Sequence, residues 1–449
     1  MAIPDQEATK LSMAEPDSEA PRTLAVNKQS NPLARALSLM GPGLITGASD
    51  DDPSGIATYS TVGAGFGYSA LWMAPFSYPL MLAVQYICAK IGMVTGRGLA
   101  GVIKEHYPPA VLWSALSLLL IANIINAGAD IGAIAAGVHL LVPQIGEIWM
   151  ILPITIVLTA SLIFLSYKTI ANVFKWLTLS LFAYVATAFF CHLDAAIVLK
   201  DTLAPNFGHS TGYTQALVAI LGTTISPYLF FWQANCEVDE FKDAGAKTVK
   251  SRQGATRADL KFAAWDVAVG MFFSNCVMYF IILTTAATLH KNGNVHIESA
   301  SQAAKALEPL LGSGAEILFA AGFIGTGFLA IPVLIGSSSY AIAEALGWPC
   351  GFSEKWWKAK RFYSLFAISA FLATAFNYLK INAMDALYWT AILNGVLAPP
   401  LLLLVMLISQ NKKIMGERIN SPLVSVGGWL ATIVMTVAAV AMALSLVKH

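Results

Sequence analysis

The sequence predicts an all-α integral membrane protein of about eleven transmembrane helices. Two five-helix halves of opposite orientation each open with a broken helix, and one further helix follows. Three observations lead there. Of the 449 residues, 57% are hydrophobic and only 12% are charged, with a mean hydropathy of +0.65. Soluble chains carry about 25% charged residues, so lipid must be the solvent for much of this one. Apolar stretches near bilayer length recur along the whole chain. Two of them, five spans apart, are interrupted by proline, glycine and polar residues.

Residues 1–36 are polar, contain Pro, Glu and Asp, and lack the apolar core of a signal peptide. They are expected to form a disordered cytoplasmic tail ahead of one membrane domain, 37–449. The first half comprises spans at about 38–66, 69–94, 110–142, 148–168 and 174–194. The second comprises 213–237, 262–289, 315–346, 361–379 and 386–409, and an eleventh span covers 423–447. Most are close to the ~20 residues a helix needs to cross a bilayer. Helices are required because hydrocarbon satisfies no backbone polar group. An offset of five spans turns the second half upside down relative to the first.

Orientation follows from the cations. With the N-terminus inside, the inner segments hold 22 of the 27 Lys and Arg. The outer ones hold only Lys200, Lys291, Lys305, Lys380 and Lys448. This asymmetry predicts a multi-pass plasma or inner-membrane protein with its N-terminus in the cytoplasm and its C-terminus outside. The five cysteines are scattered without metal-finger spacing and read as core residues. The basic inner loop "KDAGAKTVKSRQGATRADLK" is read as a topology signal.

Span 1 contains "GASDDDPSGIATY", Gly47–Tyr59, and span 6 contains "LGTTISPYLFFWQ", Leu221–Gln233. Proline and glycine disrupt a helix, and Pro227 alone reads as a kink. Paired with the break in span 1, it marks a binding site of the kind that discontinuous helices build in transporters. Pro332 in span 8 reads as a plain kink. Carboxylates within a span cost about 2.5–3.5 kcal/mol each and are functional candidates. Asp52, beside the break, is the expected cation ligand. Together with hydroxyls and freed carbonyls it makes a hard-oxygen site suited to Mg²⁺, Ca²⁺ or Mn²⁺. Asp50 and Asp51 are expected to wet a vestibule.

Span 3, "NIINAGADIGAIAAG", puts Asn123, Asn126 and Asp130 on one helix face. The asparagines serve equally well as cavity lining or as interhelical hydrogen-bond glue, and Asp130 is a proton-relay candidate. Gln233 and Glu237 line an inner exit or end a solvated helix, and Asn394 in span 10 is a further cavity candidate. Seven dispersed histidines without an HExxH pattern, and no phosphate-binding glycine loop, argue against a membrane metalloenzyme or an ATP-driven pump.

These motifs resemble the natural resistance-associated macrophage protein (NRAMP) family of divalent metal transporters. Its first helix typically reads Gly-Pro-Gly, then Asp-Pro-Gly-Asn, then Ile-Ala-Thr. Here Gly41-Pro42-Gly43, Asp52-Pro53-Ser54-Gly55 and Ile56-Ala57-Thr58 stand in those places. The family's Met-Pro-His in helix 6 is Ser226-Pro227-Tyr228 here. The resemblance implies a LeuT-like fold with alternating access and a divalent ion held between the two breaks. It assigns Asp52, the Thr223 carbonyl, and the positions of Gly55 and Ser226 to that site. The asparagine, methionine and histidine are nevertheless lost. The set is similar to the NRAMP-related magnesium transporter branch, since a thioether favours transition metals and a roomy oxygen site suits Mg²⁺. Tyr228 does not titrate near neutrality, so weak or absent proton coupling is expected.

The expected function is inward transport of Mg²⁺, and also Mn²⁺, without enzymatic activity. The divalent ion is the substrate and no cofactor is expected. The remaining partner is the bilayer, with no nucleic acid and no obligatory protein partner. One alternative is a proton-coupled Mn²⁺/Fe²⁺ importer. Another is a LeuT-like symporter of a small organic solute, which three aspartates would suit poorly if the solute were a carboxylate.

Overall fold

In the computed structural model, the described residues are 41–447 apart from 166–168, 170–176, 178, 207–210, 353 and 380. The expected tail, 1–36, lies outside them. The described residues form helices and their connections, the first being the short helices α1 (Pro42–Asp50) and α2 (Pro53–Phe66). Next come α3 (Met73–Thr95), α4 (Leu99–His106), α5 (Pro109–Leu141), α6 (Glu147–Phe164) and α7 (Phe182–Phe190). The second half opens with α8 (Thr211–Thr224) and α9 (Pro227–Asp243). It continues with α10 (Arg257–Thr288), α11 (Ala315–Leu346), α12 (Lys360–Phe376) and α13 (Ala383–Gln410), and α14 (Pro422–Val447) closes the chain.

Among the described residues, nine helical segments are long and apolar enough to cross a membrane. They correspond to spans 2–4 and 6–11. Span 1 is missing from that set because its two halves have only 9 and 14 residues. Span 5 falls partly outside the described residues and is seen mainly as α7.

The breaks in spans 1 and 6 have the same construction. Asp52 and Ser226 are extended N-cap residues, and Pro53 and Pro227 take the first position of the following helix. A proline there loses no helical bond, since the first amides of a helix have no partner anyway. The prolines therefore start new helices rather than kink old ones. Pro332, by contrast, sits inside the continuous α11.

The first half of each broken helix packs unusually close to a neighbour. A Cβ on Gly43 would lie 2.6 Å from the Val267 amide of α10, and one on Gly270 of α10 would strike the Gly43 carbonyl. A Cβ on Gly222 of α8 would collide with the Ala391 carbonyl of α13 and come within 2.5 Å of the Gly395 nitrogen. These contacts bring backbone against backbone at the centre of the bundle, where side chains would hold helices apart.

The basic loop is more than a topology signal. Arg252, almost fully buried, donates to the carbonyls of Gly96 (3.1 Å), Ala246 (3.3 Å) and Lys247 (2.9 Å). Nearby, Glu344 at the end of α11 accepts from the Gly98 and Gly101 amides at the start of α4. One end of the bundle is thereby clamped by buried polar bonds. Overpacking typically costs about 1–3 kcal/mol. Gly222→Val is thus expected to lower the melting temperature of the detergent-purified protein by several degrees. Gly65→Ala, whose new Cβ would meet only the Val295 carbonyl at 3.6 Å, should leave it unchanged.

Candidate metal site

The break between α1 and α2 exists because Asp52 turns its side chain back onto the start of α2. Its Oδ1 accepts from the Gly55 amide (2.7 Å) and the Ser54 hydroxyl (2.7 Å). An N-cap aspartate satisfies amides that have no helical partner and meets the positive end of the helix dipole. Its Oδ2 is held loosely: the Asn126 amide nitrogen of α5 is 3.4 Å away and the Tyr228 hydroxyl of α9 is 3.5 Å away. Both are beyond ordinary hydrogen-bond length. One oxygen is therefore fixed and the other is held only loosely, between α5 and α9.

The other aspartates are buried too. Asp50 is 0% exposed and Asp51 5%, so neither lines an open vestibule. Close packing of α1 on α10 turns both toward Ser274, whose hydroxyl lies 2.7 Å from Asp50 Oδ2 and 3.2 Å from Asp51 Oδ1. Asp130, one turn beyond Asn126 on α5, is fully buried, and neither of its oxygens finds a hydrogen-bond partner. Among the described residues, no lysine or arginine forms an ion pair with any of these four carboxylates.

Across the site, the Ser226 hydroxyl lies 2.7 Å from the carbonyls of both Gly222 and Thr223. Its single proton serves one at a time. In this conformation Ser226 caps the frayed end of α8, and the Thr223 carbonyl is one of the acceptors it covers. The Thr223 side chain lies 3.0 Å from the Tyr59 hydroxyl of α2, joining the two broken helices directly. Gly55 contributes its amide to Asp52 and leaves space where a larger side chain would stand.

The remaining candidates separate by role. Asn123 donates to the Leu334 carbonyl and to Ser337 and Ser338 of α11, all at 2.9 Å, so it is interhelical glue. Gln233 donates to Glu237 at 2.9 Å, and both are buried, so Glu237 does not end a solvated helix. Asn394 is buried with its Nδ2 unpartnered, and no contact ties it to Asp52 among the described residues.

Three participants were not picked out from the sequence: Tyr59, Ser274 and Asp266. Asp266 of α10 accepts from the Gly41 amide (3.1 Å) and the Gly43 amide (2.6 Å), capping the start of α1. The available signal was an acid and a serine inside the apolar "WDVAVGMFFSNC" of span 7, Trp265–Cys276.

Broken helices meeting at a buried carboxylate, in two inverted five-helix halves, are the architecture of the LeuT-like fold. The chain belongs to the natural resistance-associated macrophage protein-like family, whose sequence profile matches residues 43–445, and it is a transporter rather than an enzyme. It is 26% identical over 404 residues to the divalent metal cation transporter MntH of Klebsiella pneumoniae strain 342, covering 88% of this chain and 91% of that one. A second MntH from Klebsiella pneumoniae subsp. pneumoniae is 30% identical over 301 residues, 65% of this chain and 68% of the relative. Among solved structures, the Eremococcus coleocola manganese transporter bound to an aromatic bis-isothiourea compound superposes with a TM-score of 0.72 at 18% identity. That match covers 95% of this chain and 89% of the other. MhsT in complex with L-phenylalanine superposes with a TM-score of 0.57 at 11% identity, covering 90% of this chain and 98% of the other.

Hydrogen bonds to a charged acceptor contribute about 1.5–3 kcal/mol each. Asp266→Ala should therefore release the start of α1. Thr46 in α1 is fully buried. In a Thr46→Cys background, Asp266→Ala is expected to speed labelling by a water-soluble thiol reagent severalfold over the five native cysteines. An unchanged rate would show that α1 is held by other contacts.

Proposed function

We propose that the chain is a divalent cation transporter that carries Mg²⁺, and also Mn²⁺, into the cytoplasm by alternating access, with little or no proton coupling. The carrying observation is Asp52 Oδ2 at the junction of two broken helices, held only by long contacts from the Asn126 amide nitrogen and the Tyr228 hydroxyl. Relatives along most of the chain are named divalent metal cation transporters, which supports the cation class. The metal preference is argued from the donors. Ser226 stands where the wider family has a thioether, and Gly55 where it has an amide. Hard oxygens and space for retained water favour Mg²⁺, which gives up its hydration shell reluctantly. Tyr228 in place of histidine removes a group that titrates near neutral pH.

In this reading residues 37–449 form one transporter domain behind a cytoplasmic tail. The excess of Lys and Arg in the inner segments supports an N-in, C-out placement in the plasma or inner membrane. Ion entry is then downhill, drawn by the membrane potential at about 2.3 kcal/mol per charge per 100 mV. Asp130 favours a second reading, because a buried acid with no hydrogen-bond partner suits proton transfer in a proton-coupled Mn²⁺/Fe²⁺ importer. An organic carboxylate substrate fits poorly beside four buried aspartates.

Proteoliposome flux separates these readings. Saturable Mg²⁺ entry without lumenal acidification is expected, and Asp52→Ala should reduce it to background. Absent Mg²⁺ flux sinks the metal assignment, and acidification accompanying entry sinks the uncoupled mechanism. Gly55→Asn with Ser226→Met should shift preference from Mg²⁺ toward Mn²⁺ by about tenfold or more, as softer donors and a smaller cavity require. A Cβ at position 55 would meet Tyr59 at 3.4 Å, ordinary van der Waals contact, so the backbone there tolerates a side chain.

A further inference from the structure

We infer that Asn126 supplies a side-chain oxygen ligand to the transported cation from α5, replacing the amide oxygen that Gly55 cannot provide from α2. This rests on the divalent-cation reading and deepens it by naming a residue that sets specificity.

The argument starts from what Asn126 lacks. It is 0% exposed, and its Oδ1 has no hydrogen-bond partner. Its Nδ2 reaches only Asp52 Oδ2, at a long 3.4 Å. Asn123, one turn earlier on the same helix, also leaves its Oδ1 unpartnered, but its nitrogen is anchored to three oxygens of α11 at 2.9 Å. The difference lies in where each nitrogen is held. Asn126 has no such anchorage and faces the one Asp52 oxygen that α2 leaves free.

The amide has two useful states. Without a cation, Nδ2 points at the carboxylate and separates like partial charges. When a cation lies against Asp52 Oδ2, a half-turn about the terminal side-chain bond brings Oδ1 to the ion. The energy well for that torsion is broad and nearly two-fold, so the turn needs no backbone movement. Asp130, the next residue along this face, leaves its oxygens similarly unpaired. Helix α5 thus presents unsatisfied oxygens to the junction, while Gly55 on α2 presents only an amide hydrogen.

Calorimetric titration of Mg²⁺ and Mn²⁺ into the intact, purified protein tests this. Asn126→Ala and the shape-preserving Asn126→Leu should each weaken binding by at least about tenfold, the scale of losing one partner at a metal site. Asn126→Asp keeps an oxygen and removes the donor, so it should bind at least as tightly as wild type. Gly55→Asn added to Asn126→Ala should recover Mn²⁺ binding, because the amide oxygen returns from α2. Asn123→Ala should lower thermal stability without changing affinity. The inference is overturned if Asn126→Ala and Asn126→Leu bind like wild type while Asp52→Ala does not bind. It is equally overturned if Asn126→Asp loses as much as Asn126→Ala, which would make Asn126 only a donor that positions Asp52. A wild-type protein that binds neither ion overturns the cation reading itself.

Discussion

Four carboxylates buried in an apolar bundle, with no basic side chain paired to them among the described residues, are the constraint on which the rest of this structure depends. Asp50, Asp51, Asp52 and Asp130 are at most 5% exposed. Burying uncompensated charge costs several kcal/mol per group, so each acid needs donors, a proton or a cation. A continuous helix has no spare donors, because its amides are already bonded to its own carbonyls. Interrupting span 1 frees amides at the start of α2, and Asp52 takes the one at Gly55. The break therefore places a carboxylate at mid-bundle and also makes that placement tolerable. Ser274 does the same work for Asp50 and Asp51 from α10. What stays unmet at Oδ2 of Asp52 and at Asp130 is the demand that a cation would meet on the proposed reading.

The two breaks are built alike but are closed differently. In span 6, Ser226 folds onto the carbonyls of Gly222 and Thr223, so the end of α8 is capped internally. In span 1, the start of α1 is capped from outside, by Asp266 on α10. Glycine contacts reinforce this, holding Gly43 and Gly47 against Val267 and Gly270. A short helix with an external cap at its start and a break at its other end is a unit that can shift against its neighbour as a whole. Such two-state packing is what alternating access requires, since close-packed interfaces switch between arrangements rather than deform gradually.

Much of this was legible in the sequence, and the reasons are local. Aspartates followed by Pro-Ser-Gly within an apolar stretch mark a break whatever the fold, and span 8 was bounded at 315–346 as α11 is. The prolines were legible as interruptions, but their place as first residues of new helices depends on caps that only the backbone shows. The vestibule role of Asp50 and Asp51 failed because solvent access is a property of how α1 packs, not of residue type. Asp266 escaped notice because its partners Gly41 and Gly43 lie 225 and 223 positions away. A helical period says which residues share a face but not which helix that face meets. The same limit left Asn123 and Asn126 equivalent on paper, whereas the fold sets one against α11 and the other against Asp52.

Selectivity at such a site is a matter of where the oxygens come from as much as how many there are. A ligand carried on α2 next to Asp52 moves with it and grips the ion tightly in every conformation. An oxygen brought by α5 approaches from a different helix, and its distance to Asp52 changes whenever the broken helices tilt. That arrangement is looser, and looseness favours a cation that keeps part of its water over one that must be stripped. Mg²⁺ is bound in this way by few carboxylates and retained waters, whereas a rigid cage with a sulfur donor rewards softer ions. On the proposed reading, the small Gly55, Ser226 turned to its own helix end and Asn126 held only by a 3.4 Å contact are what would favour the hydrated ion.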